Sequence, residues 1–193
     1  MRAWLLILFL SPNAIAANPP PFAKVLFTSG STSLEPNHTG LHAGMELSEG
    51  DRITVMSGSK LRLKLASGAV IEVGPHSELL LKNNASGAPF LRMPHGELLV
   101  VTRAADPLEL RTGQLRLLAA AKTFFVNQEL DKPAYVCVCD GKLQAKWALG
   151  SETLSAKHHE NPVWIYPSKT AAVPAKSQPH HDDEQIRALR ASL

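Results

Sequence analysis

The feature that most constrains this chain is an alternation. In "KLRLKLA", Leu61, Leu63 and Leu65 fall on one side of an extended backbone, and Lys60, Arg62 and Lys64 fall on the other. That is the period of a half-buried strand. Short runs of the same kind recur: "DRITVMS", "AVIEVG", "SELLLK", "ELLVVTR", "LELRT", "QLRLLA", "KTFFVNQ", "AYVCVCD", "KLQAKWA" and "SETLSAK". Turn pairs separate them, among them Ser67-Gly68, Gly74-Pro75, Ser86-Gly87, Thr112-Gly113, Asp140-Gly141 and Leu149-Gly150. A strand and turn every 8 to 12 residues or so, with no long helical period between, predicts an all-β fold. A sandwich, a barrel or a rolled sheet would satisfy it.

The two ends read differently. "MRAWLLILFLSPNAIAA" carries Arg2, an apolar run from Trp4 to Leu10 and the small-x-small step Ala14-Ile15-Ala16. This pattern predicts a signal peptide over residues 1–16 with cleavage near Ala16 and an exported mature protein. The apolar run falls far short of the roughly 20 residues a membrane span needs, so no span is expected after its removal. The β-domain is expected over residues 17–166. From Pro167 the composition turns to Pro, Ala, Lys and Ser, which predicts a linker over residues 167–181. A short C-terminal helix is expected over 182–193, capped by Asp182 or Asp183, with Ile186 and Leu189 as its apolar face. So short a helix is marginal alone and is expected to dock on the β-domain.

Charge excludes one partner class. Lys and Arg number 20 against 17 Asp and Glu, with no basic stripe interleaved with aromatics, so nucleic acid is not an expected partner. There is no G-x-S-x-G elbow and no phosphate-binding glycine loop. Asp51 reads as a turn former, and His38, His42, His76 and His95 as exposed turn residues. No enzymatic activity is expected.

The stretch "GMELSEGDRITVMSGSKLRLKLASGAVIEVGPHSELLL", Gly44 to Leu81, resembles the FecR-type periplasmic domain. The matching pieces are Gly50-Asp51, the turn Ser57 to Ser59, Ser67-Gly68 with Ile71, and Pro75-His76-Ser77. "HGELLVV" and "LELRT" extend the resemblance, which runs from about residue 24 to 147. It implies a rolled antiparallel sheet or short solenoid-like β-domain with a sensing or binding history. Two departures stand out. Ala121-Lys122 replaces the Gly-Thr common before the late "F-x-V" strand. The iron-citrate regulators of the family also carry an anti-sigma segment and a membrane helix ahead of the domain, and signalling of that kind is not expected here. Some exported proteins with this domain end in a Cys-x-Cys strand, a His-His pair and a His-x-Asp before a helix. Cys137-Val138-Cys139, His158-His159 and His180-His181-Asp182 stand in that order.

The two cysteines are the chain's only ones. On a strand, residues two apart point the same way with Cα atoms about 6.6 Å apart. That is the upper limit for a disulfide, and the side chains run parallel instead of converging. Two parallel thiolates can nevertheless lean toward one metal ion. Asp140-Gly141 predicts a hairpin, and with it a three-stranded meander that returns His158 and His159 to the cysteine end across a gap of about 10 Å. The expected metal donors are therefore Cys137, Cys139, His158, His159 and His180. One histidine of the 158–159 pair is expected to bind, with His159 slightly favoured, and the tail pair contributes if it folds back. Thiolate with imidazole suits Zn, Cu or iron, the last also as haem.

Two other readings stay open: the cysteines as core residues, or as a strained redox-active disulfide. The leading function is thus an exported binding or sensor module coordinating a metal or haem. The alternative is a non-catalytic envelope interaction domain, docking a protein partner through a strand edge, with a structural Cys pair. A thiol–disulfide enzyme lacks the helix N-terminus that usually activates such a thiol.

Overall fold

The computed structural model describes residues 20–85, 87–103, 108–119, 122–175 and 181–193. The expected signal peptide with its Ala16 cleavage point, Ser86, Ala121 and His180 lie outside the described residues. No helix among the described residues is long and apolar enough to cross a membrane.

Among the described residues, seventeen strands form in chain order. They are β1 (Ala23–Ser29), β2 (Thr32–Glu35), β3 (Thr39–Gly40), β4 (Glu46–Leu47), β5 (Arg52–Val55) and β6 (Lys60–Leu65). Next come β7 (Val70–Val73), β8 (Ser77–Asn83), β9 (Pro89–Arg92), β10 (Gly96–Val101), β11 (Leu108–Thr112) and β12 (Leu115–Ala119). The last are β13 (Thr123–Gln128), β14 (Ala134–Trp147), β15 (Gly150–Ala156), β16 (Val163–Ile165) and β17 (Val173–Pro174), followed by helix α1 (Asp183–Arg190). The fold is all-β with one short C-terminal helix, as the alternation predicts.

The strands make two sheets. The first runs β4-β1-β6-β7-β10-β13-β14-β16-β17, and the second β3-β2-β5-β8-β9-β11-β12-β14-β15. Every pairing is antiparallel except β9 with β11. The chain passes back and forth between the sheets, so the architecture is a roll that stays open. Strand β14 belongs to both sheets.

One core lies between the sheets. It takes Leu61, Leu63, Ile71, Leu98, Val100, Phe124, Val136 and Val138 from the first sheet. Ile53, Leu79, Leu91, Leu110, Leu117, Leu143 and Ala145 come from the second. In β6 the lysine and arginine side is half-exposed and the leucine side buried, as its sequence dictates. Asp51 serves its turn, its carboxylate accepting a hydrogen bond from the Ser48 amide at 2.8 Å.

A second, smaller cluster sits on the outer face of the first sheet. Val70, Leu99, Val101, Phe125, Tyr135, Cys137 and Cys139 supply it from the strands, and Ile186 and Leu189 from α1. Asp182 caps the helix, taking a hydrogen bond from the Gln185 amide at 2.8 Å, and Gln185 reaches back to the Asp182 amide. This is a capping box with glutamine in the reciprocal place. Within the segment expected as linker, Val173–Pro174 forms β17 against β16.

Candidate metal centre

The site is built on a strand that does not turn where a turn was expected. Asp140-Gly141 makes no hairpin: β14 continues through it for 14 residues. Gly141 takes a φ of +102°, a backbone that side chains oppose, and uses that freedom to bend the strand from one sheet into the other. Opposite, the register slips: Thr123 faces Asp140 and Phe124 faces Val138, so Cys139 is the extra residue of a β-bulge. A bulge re-aims the side chain it carries. The hairpin comes later, where β15 runs back along β14 and Ala156 pairs with Gly141.

This corrects the expected meander and removes its gap. With β15 directly beside β14, the segment after Ala156 emerges next to the cysteines with no strand between. It leaves the sheet over residues 157–162 and rejoins β14 as β16, where Val163 pairs with Val136. The edge of β14 from Cys137 to Asp140 is therefore spanned by the loop bearing His158 and His159. His159 adopts a left-handed φ of +48° there.

Four donors meet at that place. One ligand atom each from Cys137, Cys139, His159 and His181 lies within 4.8 Å of the others. The Cys137 Sγ to His159 Nδ1 distance is 3.6 Å, and Cys139 Sγ to His181 Nε2 is also 3.6 Å. The two imidazole nitrogens, His181 Nε2 and His159 Nδ1, are 3.2 Å apart. Both cysteines are buried free thiols, with Val136 and Val138 between and beside them pointing into the opposite core. The cysteines thus do not face the main core. They are buried by what the tail and the 157–162 loop lay over them.

The surroundings orient the donors. His181 stacks on Phe125 with ring centroids 4.5 Å apart and planes inclined by 16°. His159 turns its other nitrogen, Nε2, to the Asp183 carboxylate at 3.1 Å. That is the carboxylate–histidine pairing that fixes tautomer and ring orientation at many metal sites. His158 points outward, its side chain 71% exposed, and its Nε2 lies 3.7 Å from Asp183. Of the histidines named from sequence, then, His159 joins the cysteines and His158 stands outside the four-donor group. Of the tail pair, His180 lies outside the described residues, and its neighbour His181 joins the group. The signal for it was the helix cap: Asp182 holds the N-cap, so the residue just before it is delivered at a fixed position.

The electrostatics of the thiols are coupled. A hydrogen bond with Cys139 holds Cys137 well below the ordinary thiol range, against the pull of burial and with the help of His181 and His159. The same hydrogen bond with Cys137, joined by burial, pushes Cys139 far up. Burial first, and then charge on the two sulfurs, raises Tyr135 as well. A metal ion would take both sulfurs as thiolates and displace their protons.

No protein-family model matches the chain, and no curated protein matches it. Among solved structures, the fold is similar to two crystal structures of a "putative anti-sigma factor" from Parabacteroides distasonis, each with a TM-score of 0.55 and 18% sequence identity. The similarity covers 71% of this chain, and 63% and 62% of those chains, so this chain spans less than two thirds of their length. At that identity the likeness establishes the fold.

Proposed function

We propose that this protein is an exported, non-enzymatic sensor or regulatory binding module of FecR type that coordinates one zinc ion through Cys137, Cys139, His159 and His181. The observation that carries the reading is the spacing of the donors. With Zn–S bonds of about 2.3 Å and Zn–N bonds of about 2.0–2.1 Å, a tetrahedral site has S···N edges of about 3.6 Å and N···N edges of about 3.3 Å. The corresponding distances here are 3.6, 3.6 and 3.2 Å. Two thiolates balance the dication, and Asp183 supplies the outer carboxylate.

The donor set chooses among the metals. Tetrahedral S₂N₂ sites favour zinc. Haem iron needs its axial ligands on opposite faces of a macrocycle, whereas these four donor atoms lie within 4.8 Å of one another. A closed four-ligand site is structural or regulatory in character, since catalytic zinc keeps a position open. The anti-sigma-factor fold neighbours support a regulatory module with a protein partner in the envelope. The export pattern at the N-terminus supports the periplasm as its compartment.

Metal analysis of untagged protein tests the reading. One zinc per chain is expected, absent from the Cys137→Ser/Cys139→Ser variant. Cobalt substitution should give the intense visible bands of tetrahedral cobalt thiolate. Metal-free protein that ignores added zinc and cobalt would leave the cysteines as buried residues of an interaction domain.

A further inference from the structure

We propose that the metal latches helix α1 onto the first sheet, so that zinc occupancy decides whether the outer apolar face of that sheet is covered. This inference rests on the zinc reading above and adds to it what the ion regulates.

Three observations carry it. The first is where the donors come from. Cys137 and Cys139 lie on β14 and His159 on the loop that spans its edge, all within the β-domain. His181 is different: it belongs to the tail and immediately precedes the Asp182 cap of α1. A metal bond to His181 therefore pins the leading end of the helix to the sheet. The second is Asp183, in the first turn of α1, whose carboxylate orients His159 at 3.1 Å. The helix supplies one ligand and steadies another, so metal and helix hold each other in place.

The third observation is that α1 is short and depends on its ties to the sheet. The helix has eight residues, well below the length at which an isolated helix persists in water. It buries two side chains, Ile186 and Leu189. Its polar ties are Gln185 Nε2 to Glu72 Oε1 at 3.3 Å and Arg190 Nη2 to Thr123 Oγ1 at 3.0 Å and Asp140 Oδ2 at 3.3 Å, and just past its last turn the Leu193 carbonyl accepts from Lys64 Nζ at 2.8 Å and Arg103 Nη2 at 3.0 Å. Arg190 is 45% exposed, and ion pairs of that kind contribute little. Helix α1 packs on β7 and β10, which bring Val70, Leu99 and Val101, and His181 stacks on Phe125, so helix and tail cover an apolar strip that sheet strands seldom leave open to water. Removing the ion removes the bond that pins His181, and with it the anchor at the helix's leading end. The released helix uncovers the strip.

Hydrogen exchange on the full-length protein, zinc-loaded and chelator-stripped, tests this. Amides of residues 186–190 should exchange faster without zinc by a factor in the range of about 5 to 150, while those of β10 and β13 keep their protection. An apolar-surface dye should bind the stripped form. Because coupling between two sites is reciprocal, Leu189→Asp, at a residue that supplies no donor, should lower zinc affinity by the same factor, read by competition with a chromophoric chelator. Should Leu189→Asp disturb the sheet amides, Leu189→Ala provides the same comparison. Zinc binding at one per chain with unchanged exchange in α1, or unchanged zinc affinity in both Leu189 variants, overturns the latch and leaves the zinc reading standing. Failure of the unaltered protein to bind zinc overturns both.

Discussion

The two sheets share one inner face and differ on the outside. Outside the second sheet, β11 and β12 present Glu109, Arg111 and Arg116, tied by hydrogen bonds of 2.6 and 2.8 Å from the arginine Nε atoms to the Glu109 carboxylate. Outside the first sheet, β13 and β14 present Phe125, Tyr135, Cys137 and Cys139. Strands with one solvated face alternate, and strands buried on both faces read as nearly continuous apolar runs. "QLRLLA" belongs to the first kind, "TFFV" and "YVCVC" to the second. The difference teaches that the first sheet carries a second cover, and that its unusual chemistry gathers where the cover is anchored.

The largest expected effect separates the inner face from the outer. Phe124→Ala opens a cavity in the sealed core and should cost about 3–5 kcal/mol in urea unfolding. Phe125→Ala, one residue along and under the tail, should cost less, because the overlying chain can settle; equal costs would erase the distinction. Next, Cys137→Ser/Cys139→Ser should abolish zinc-dependent stabilisation, which at a hundred times Kd amounts to about 2.7 kcal/mol. The metal-free variant should unfold close to metal-free unaltered protein. Asp183→Asn keeps every donor yet should weaken zinc binding about 10- to 100-fold, as loss of a carboxylate behind a ligating histidine does.

The smallest effect lies on the charged side. Burial pushes the Glu109 carboxyl up, but hydrogen bonds from Arg116 and Arg111 outweigh it and leave it below the ordinary carboxylate range. A depressed folded value means the stabilisation is complete above the unfolded pKa of about 4.3 and is lost as pH falls through the folded one. Glu109→Gln should cost about 0.5–1 kcal/mol at neutral pH once the exposure of the arginines is allowed for. That difference should vanish in acid and be insensitive to zinc. A zinc-sensitive Glu109 effect would mean that the two outer faces are coupled.

The inner face was legible from sequence because period two leaves little choice: Leu61, Leu63 and Leu65 had to be buried together. The cysteine–histidine cluster was legible in kind but not in connection. Asp-Gly between apolar runs is a strong hairpin signal, and it led to a turn that is absent. The information against it was the parity of the apolar residues. Val136 and Val138 face inward at even positions, while Leu143, Ala145 and Trp147 face inward at odd ones. A strand whose inward parity switches without a break contains one extra residue, which is Cys139. The place of His181 depends on a helix cap, and His159, already favoured over His158, is turned toward the cysteines by a left-handed backbone that composition does not announce.

Sharing β14 between the sheets also has a consequence for assembly. Both β12 and β13 wait for the same later strand, one for its second half and one for its first. A chain appearing from its N-terminus exposes two unpaired edges at once, and both close when residues 134–147 arrive. The last third of the sequence therefore acts as the closing seam of a fold whose earlier strands cannot finish on their own.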